Sequence, residues 1–176
     1  MSADGPFGHA KKDRQSTTKD WDRVGPTIDG VCLKRTRHIV TPNGLTTEAF
    51  RSDWTETGGP VGHVIHVALD AGSLTAWHAH AVQTDAIFPV RGRLLLVLFD
   101  DRPDSPSRSQ LMVLRLDERD PQLVRIPPMV WHGLKPLQGP AAFLNIITHP
   151  YNYADPDEWR LPSDTDRIPF DIANAR

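Results

Sequence analysis

A single cysteine, Cys32, among 176 residues rules out any disulfide within the chain. Neither sign of charge is in excess: 20 Lys and Arg face 22 Asp and Glu, for a formal net charge of −2. Without a dense basic stripe, nucleic acid is excluded as the main partner, and attachment to an anionic membrane surface has no electrostatic basis. Long apolar runs are missing as well. Met1 to Asp22 is polar, with no apolar segment of a secretory signal, and no stretch is apolar over the length that a spanning helix needs. A reducing cytoplasmic setting is the expectation. Cys32, inside Val31-Cys32-Leu33, is expected to be a buried strand residue and not a nucleophile. Internal repeats, heptads and low-complexity blocks are also lacking.

What the chain does have is punctuation. Sixteen Pro and twelve Gly favour short strands joined by tight turns over long helices, while five Trp and six Phe supply bulky core material. The length suits one domain with a real core. Residues 1–25 are rich in Lys, Asp, Ser and Thr and are expected to form a flexible N-terminal arm that orders only against a partner subunit. Residues 26–176 then form a single domain. Expected strands are Val31 to Val40, Leu45 to Phe50, His63 to Leu69, Leu74 to His80, Thr84 to Val90, Arg93 to Phe99, Leu111 to Leu116, Leu123 to Ile126, Val130 to Leu137 and Ala141 to Thr148. The uniformly apolar Leu94 to Phe99 predicts a strand covered on both sides. From Pro150 the chain becomes an irregular, proline-punctuated tail with one helical turn expected at Pro156 to Leu161. About ten short strands so spaced predict an all-β fold, a jelly-roll barrel around a central cavity.

The chemistry concentrates between Gly72 and Gly92, where His78, His80 and Asp85 fall at short spacing, and in Pro127-Pro128-Met129-Val130-Trp131-His132. Histidines two apart on a strand share a face. A carboxylate from the next strand and an imidazole from a later one could join them inside a barrel. His78, His80, His132 and Asp85 would then suit a divalent first-row transition metal, with Fe, Mn, Ni, Zn and Cu equally served. Asp85 could equally orient an imidazole from behind, and Gln83 is an alternative fourth donor. His63 and His66 face opposite sides of their strand and are expected to be structural. His149 ends the last strand, and His9 and His38 have no supporting context. Arg91 and Arg93 flank Gly92 in an expected turn at the cavity mouth, where guanidinium groups would hold phosphates. Asn145, in an apolar strand, is expected to line the cavity. Tyr151 and Tyr153 could close over the opening.

The spacing from Gly72 to Gly92 resembles the first signature of the cupins, with Asp85 where Glu is usual. Ile126 to His132 resembles the second, with Met129 where Gly is usual. Over Gly62 to about Ile172 the chain also resembles the dTDP-4-dehydrorhamnose 3,5-epimerase family. That likeness is carried by Leu74-Thr75-Ala76-Trp77-His78, Val90-Arg91-Gly92-Arg93, Asp100 to Ser107, His132-Gly133-Leu134, Pro150-Tyr151-Asn152-Tyr153 and Ile168-Pro169-Phe170. Trp77-His78-Ala79-His80 is similar to the His-Ala-His of the nucleotide-sugar 3,4-ketoisomerases.

The epimerase resemblance implies a homodimer and a keto-sugar substrate, nucleotide-linked. It puts His78 at the family's general base. It also puts Asn145 where the family has its acid Tyr, Asp85 where it has a Lys and Thr75 where it has an active-site Arg, and the segment supplying the dyad Asp has no counterpart. Three functions stay open on these residues. In the first, His78 or His80 takes a proton next to a carbonyl, in an isomerase or epimerase. In the second, the same histidines hold a metal, for enolisation or for dioxygenase chemistry on a small molecule. The third is a non-catalytic ligand-binding cupin.

Overall fold

The computed structural model describes residues 10–175. Residues 1–9, which hold His9 and part of the expected arm, lie outside the described residues. Ten strands follow in order: β1 (Cys32–Arg35), β2 (His38–Thr41), β3 (Gly44–Thr47), β4 (His63–Leu69), β5 (Thr75–Ala79), β6 (Asp85–Asp100), β7 (Leu111–Asp117), β8 (Gln122–Ile126), β9 (Val130–Ile147) and β10 (Trp159–Arg160). All pairings are antiparallel. Among the described residues no helix is long and apolar enough to cross a membrane.

Two long strands organise the molecule. The first half of β6 runs between β8 and the second half of β9, with β1 and β4 at the edges of that half-sheet. The second half of β6 runs between β7 and the first half of β9, followed by β5 and β10. Thus β6 and β9 belong to both half-sheets, which close over a shared interior as a jelly roll. The expected turns at Arg91-Gly92 and at Gly139-Pro140 are corrected: each lies inside a continuous strand. Gly92, at φ 70°, sits where the β6–β9 register shifts on both sides of Arg91, so the chain bulges and bends there without turning back.

The bulge changes which residues face inward. Before it, Ile87 joins the central cluster; after it, Leu94, Leu96 and Leu98 do, with Met112, Leu114 and Phe143. The alternate residues Leu95, Val97 and Phe99 pack outward against Trp77, Ile168 and Ile172, so the apolar run is indeed covered on both faces. Ala86, Phe88 and Ile146 are covered by Phe50 and Trp54 from the loop after β3.

Three smaller expectations are corrected. Val31 to Val40 is broken into β1 and β2, because β1 pairs with β8 while β2 turns at Pro42-Asn43 to pair with β3. The helical turn expected at Pro156 to Leu161 is instead β10, bound to β5. Cys32 is half-buried, on an edge strand.

Candidate active site and metal centre

His78 and His80 face the interior because Trp77 and Ala79 are drawn into packed layers, at 0% and 5% exposure. A register shift in β5 between Thr75 and His78 brings His78 directly opposite His132 of β9. Their rings meet edge to face with centroids 4.1 Å apart, and His80 stands 5.8 and 5.6 Å from the two. One nitrogen from each of the three rings lies within 4.8 Å of the others. From the other half-sheet, Asp85 at the start of β6 reaches His80 and His132 and is 1% exposed.

The hydrogen bonds behind the rings assign their tautomers. Nδ1 of His80 meets the carbonyl oxygen of Asp157, and Nδ1 of His132 meets that of Val130 at 3.0 Å. A carbonyl only accepts, so each Nδ1 carries a proton, and in the neutral ring Nε2 is left as a lone pair. Both Nε2 atoms point at Oδ2 of Asp85, at 3.4 Å from His80 and 3.5 Å from His132. Two lone pairs and a carboxylate oxygen converging in a buried space require a cation or a proton among them. With ligand bonds of about 2.1 Å, donors around a tetrahedral ion stand about 3.4 Å apart, so the spacing fits a metal. Nε2 of His132 and Nδ1 of His78 are buried with no hydrogen-bond partner, a further sign of an unfilled acceptor role.

Neighbouring amides fix the carboxylate. Nε2 of Gln83 donates to Oδ1 of Asp85 at 2.9 Å, and Nδ2 of Asn145 donates to Oδ2 at 2.9 Å. Burial pushes the Asp85 carboxyl up, but wherever His132 and His80 carry a proton on Nε2 their contacts outweigh that and hold it well below the usual carboxylate range. Burial also lowers His80, yet the adjacent Asp85 leaves it above its ordinary value. At His78 the pull of Asp85 is outweighed: burial, then the rings of His132 and His80, push it down to about 2, so it is neutral.

A cavity of about 500 Å³ opens beside this cluster, the size of a small-ligand site. Of the residues expected in it, His78, His80, Gln83, Asp85, Asn145 and Tyr151 line it, whereas His132 sits behind them. Tyr153 stacks edge to face on Tyr151 but is itself 90% exposed. Arg91 and Arg93 are corrected: they stand at the β6 bulge, at least six residues from Asp85, or about 20 Å of strand, and no Lys or Arg among the described residues lines the cavity. The glycine between them, read as a turn, was the cause. His63 and His38 are tied to main-chain carbonyls of His149 and Glu118, as befits structural imidazoles. His149 also borders the cavity. Asp157 had not been singled out. No periodic signal marks it, and its position among acidic tail residues hid its contact with β5.

The dTDP-4-dehydrorhamnose 3,5-epimerase family model matches residues 26–172. The chain is 36% identical over 141 residues to the "probable low-salt glycan biosynthesis epimerase" of Haloferax volcanii, covering 79% of this chain and 90% of that protein. It is 32% identical over 144 residues to a spore coat polysaccharide biosynthesis protein of Bacillus subtilis, covering 81% and 95%. A solved dTDP sugar isomerase of Desulfovibrio desulfuricans superposes with a TM-score of 0.78 at 27% identity, over 85% of this chain and 94% of that one. The jelly roll, the matched span and these relatives together place the chain in the dTDP-4-dehydrorhamnose 3,5-epimerase family, a group of sugar epimerases with the cupin fold.

Proposed function

We propose that this chain epimerises a keto sugar, nucleotide-linked, using a divalent first-row transition metal held at His80, His132 and Asp85 with His78 in reach. The observation that carries the metal is the convergence of two Nε2 lone pairs on one oxygen of Asp85. Bound there, a metal would supply Lewis-acid polarisation of the sugar carbonyl. His78 lines the cavity and takes the proton from the neighbouring carbon, the step expected of it from its place in the family pattern. Asn145 and Tyr151 on the cavity wall hydrogen-bond the sugar.

The nucleotide link draws support from ChmJ, a 3'-monoepimerase of Streptomyces bikiniensis of the same fold, solved with dTDP-quinovose. With no Lys or Arg among the described lining residues, the cavity takes the sugar ring and leaves the diphosphate outside. A metal-free version of the same reaction is favoured by one contact: a proton between His80 and Asp85 bridges 3.4 Å as a cation would, and His80 would then be the acid.

The test is elemental analysis of untagged protein together with deuterium uptake from heavy water into a 4-keto nucleotide sugar. His132→Ala should lose both metal and exchange. His78→Ala should keep metal and lose exchange about 10²–10⁴-fold. Full exchange by metal-free protein would remove the metal from the proposal, and no exchange at any metal loading would remove the epimerase chemistry.

A further inference from the structure

The histidines are held by a segment outside the barrel's own long strands. Residues 157–161 cross the outer edge of β5, where β10 pairs with Ala79 and His78, and Trp77 and Leu161 exchange backbone hydrogen bonds of 3.2 and 3.0 Å. At the head of this strap, the Asp157 carboxylate accepts three successive backbone N–H groups. Ala81 donates to Oδ1 at 2.6 Å, and Val82 and Gln83 donate to Oδ2 at 2.8 and 3.0 Å. The carbonyl oxygen of the same residue meets Nδ1 of His80. One residue therefore grips the turn after β5 with its side chain and the ring of His80 with its main chain.

We infer that Asp157 is a positioning residue, whose grip on the 81–83 turn holds its carbonyl against Nδ1 of His80 and so fixes the tautomer that turns the Nε2 lone pair toward Asp85. The inference builds on the metal reading but does not depend on it, since the tautomer is set with or without an ion. Three N–H donors in a row form a concave anion seat that a carboxylate fills and a neutral amide cannot, because the amide presents N–H to N–H. Loss of the seat lets the strap drift, and the His80 ring is then free to exchange tautomers. Partners that sit behind a ligand imidazole govern affinity in this way, at about 10–100-fold each.

The decisive experiment is two-dimensional ¹⁵N–¹H long-range NMR of the histidine rings in metal-free protein, with His80 assigned through His80→Asn. Wild type should show a proton held at Nδ1 of His80. Asp157→Asn and Asp157→Ala, checked for cooperative thermal unfolding, should show a mixture of the two tautomers. In parallel, Co²⁺ titration followed by visible absorption should give affinity weakened about 10–100-fold in both variants. A wild-type His80 whose Nδ1 carries no proton overturns the inference even if neither variant folds, as does an unchanged proton position at Nδ1 in either folded variant. If wild type takes up no Co²⁺ but the variants change the tautomer, Asp157 keeps its role and the metal reading fails.

Discussion

Asn145 and Asp85, which the epimerase resemblance sets against a Tyr and a Lys, touch each other. Nδ2 of Asn145 donates to Oδ2 of Asp85 at 2.9 Å. A buried carboxylate needs donors, and the Asn145 amide supplies one. The pair should therefore be energetically coupled. In a cycle of Asp85→Ala, Asn145→Ala and the double variant, urea denaturation should give a coupling of about 1.5–3 kcal/mol, as expected of a hydrogen bond to a charged group. Additive single losses would mean that the contact is incidental.

The convergence of His78, His80 and His132 was readable because strand parity and spacing determine which face a ring takes. Asp157 was not readable. It meets His80 across 77 residues through a main-chain oxygen, which no side-chain pattern announces.

Between elements, the site depends on how closely β5 can approach β9. Gly133, next to His132, allows that approach. A Cβ there would lie 2.5 Å from Cβ of Ala76 and 2.9 Å from Cδ1 of Ile172. Both neighbours are packed, so Gly133→Ala must push β5 outward, and with it His78 and the strap that pairs with it. Overpacking of this kind costs about 1–3 kcal/mol. The expected result is a lower thermal midpoint together with weakened Co²⁺ binding, whereas native stability with native binding would show that β5 has slack.

From sequence alone β6 and β9 divide at their glycines, because a glycine at positive φ serves a turn and a bulge alike. What separates the two is the partner across the ladder, which lies up to 62 residues away in the Asp85 and Ile147 pairing. Parity read within each half was still sound. Only the continuity across the bend was hidden, and with it the true position of Arg91 and Arg93.

Across the whole molecule, the density of Pro and Gly made an all-β fold legible, since such punctuation favours short strands over long helices. The outer cover of Leu95 and Val97 was less so: Ile168 and Ile172 come from a tail whose composition is polar and whose apolar residues are too sparse for a period to show. The end of β6, opposite Val130 of β9, is held by an ion pair between the buried Asp100 and the half-buried Arg102. Asp100, 0% exposed, accepts from Nε of Arg102 at 2.8 Å and from Ser107 at 2.6 Å, and Arg102 in turn donates to the carbonyl of Asp29 at 2.7 Å. This ties the start of the folded domain to the loop after β6.

Burial pushes the Asp100 carboxyl up, but Arg102 and the serines Ser105 and Ser107 outweigh it and hold it well below the usual carboxylate range. A depressed folded pKa means that the unfolded chain binds the proton first. The stabilisation is then complete above the unfolded value of about 3.9 and is lost as pH falls toward the folded one. Unfolding free energy from urea titrations should therefore be level with respect to this group from pH 7 to about 5 and fall below about 4. Asp100→Asn, which leaves the half-buried Arg102 without its counter-charge, should be weaker at pH 7 by about 1–3 kcal/mol, the cost of a lost charge-assisted hydrogen bond. The gap should narrow as the wild-type carboxylate is protonated. Parallel curves for the two proteins down to the acid limit would show that this pair does not set acid stability.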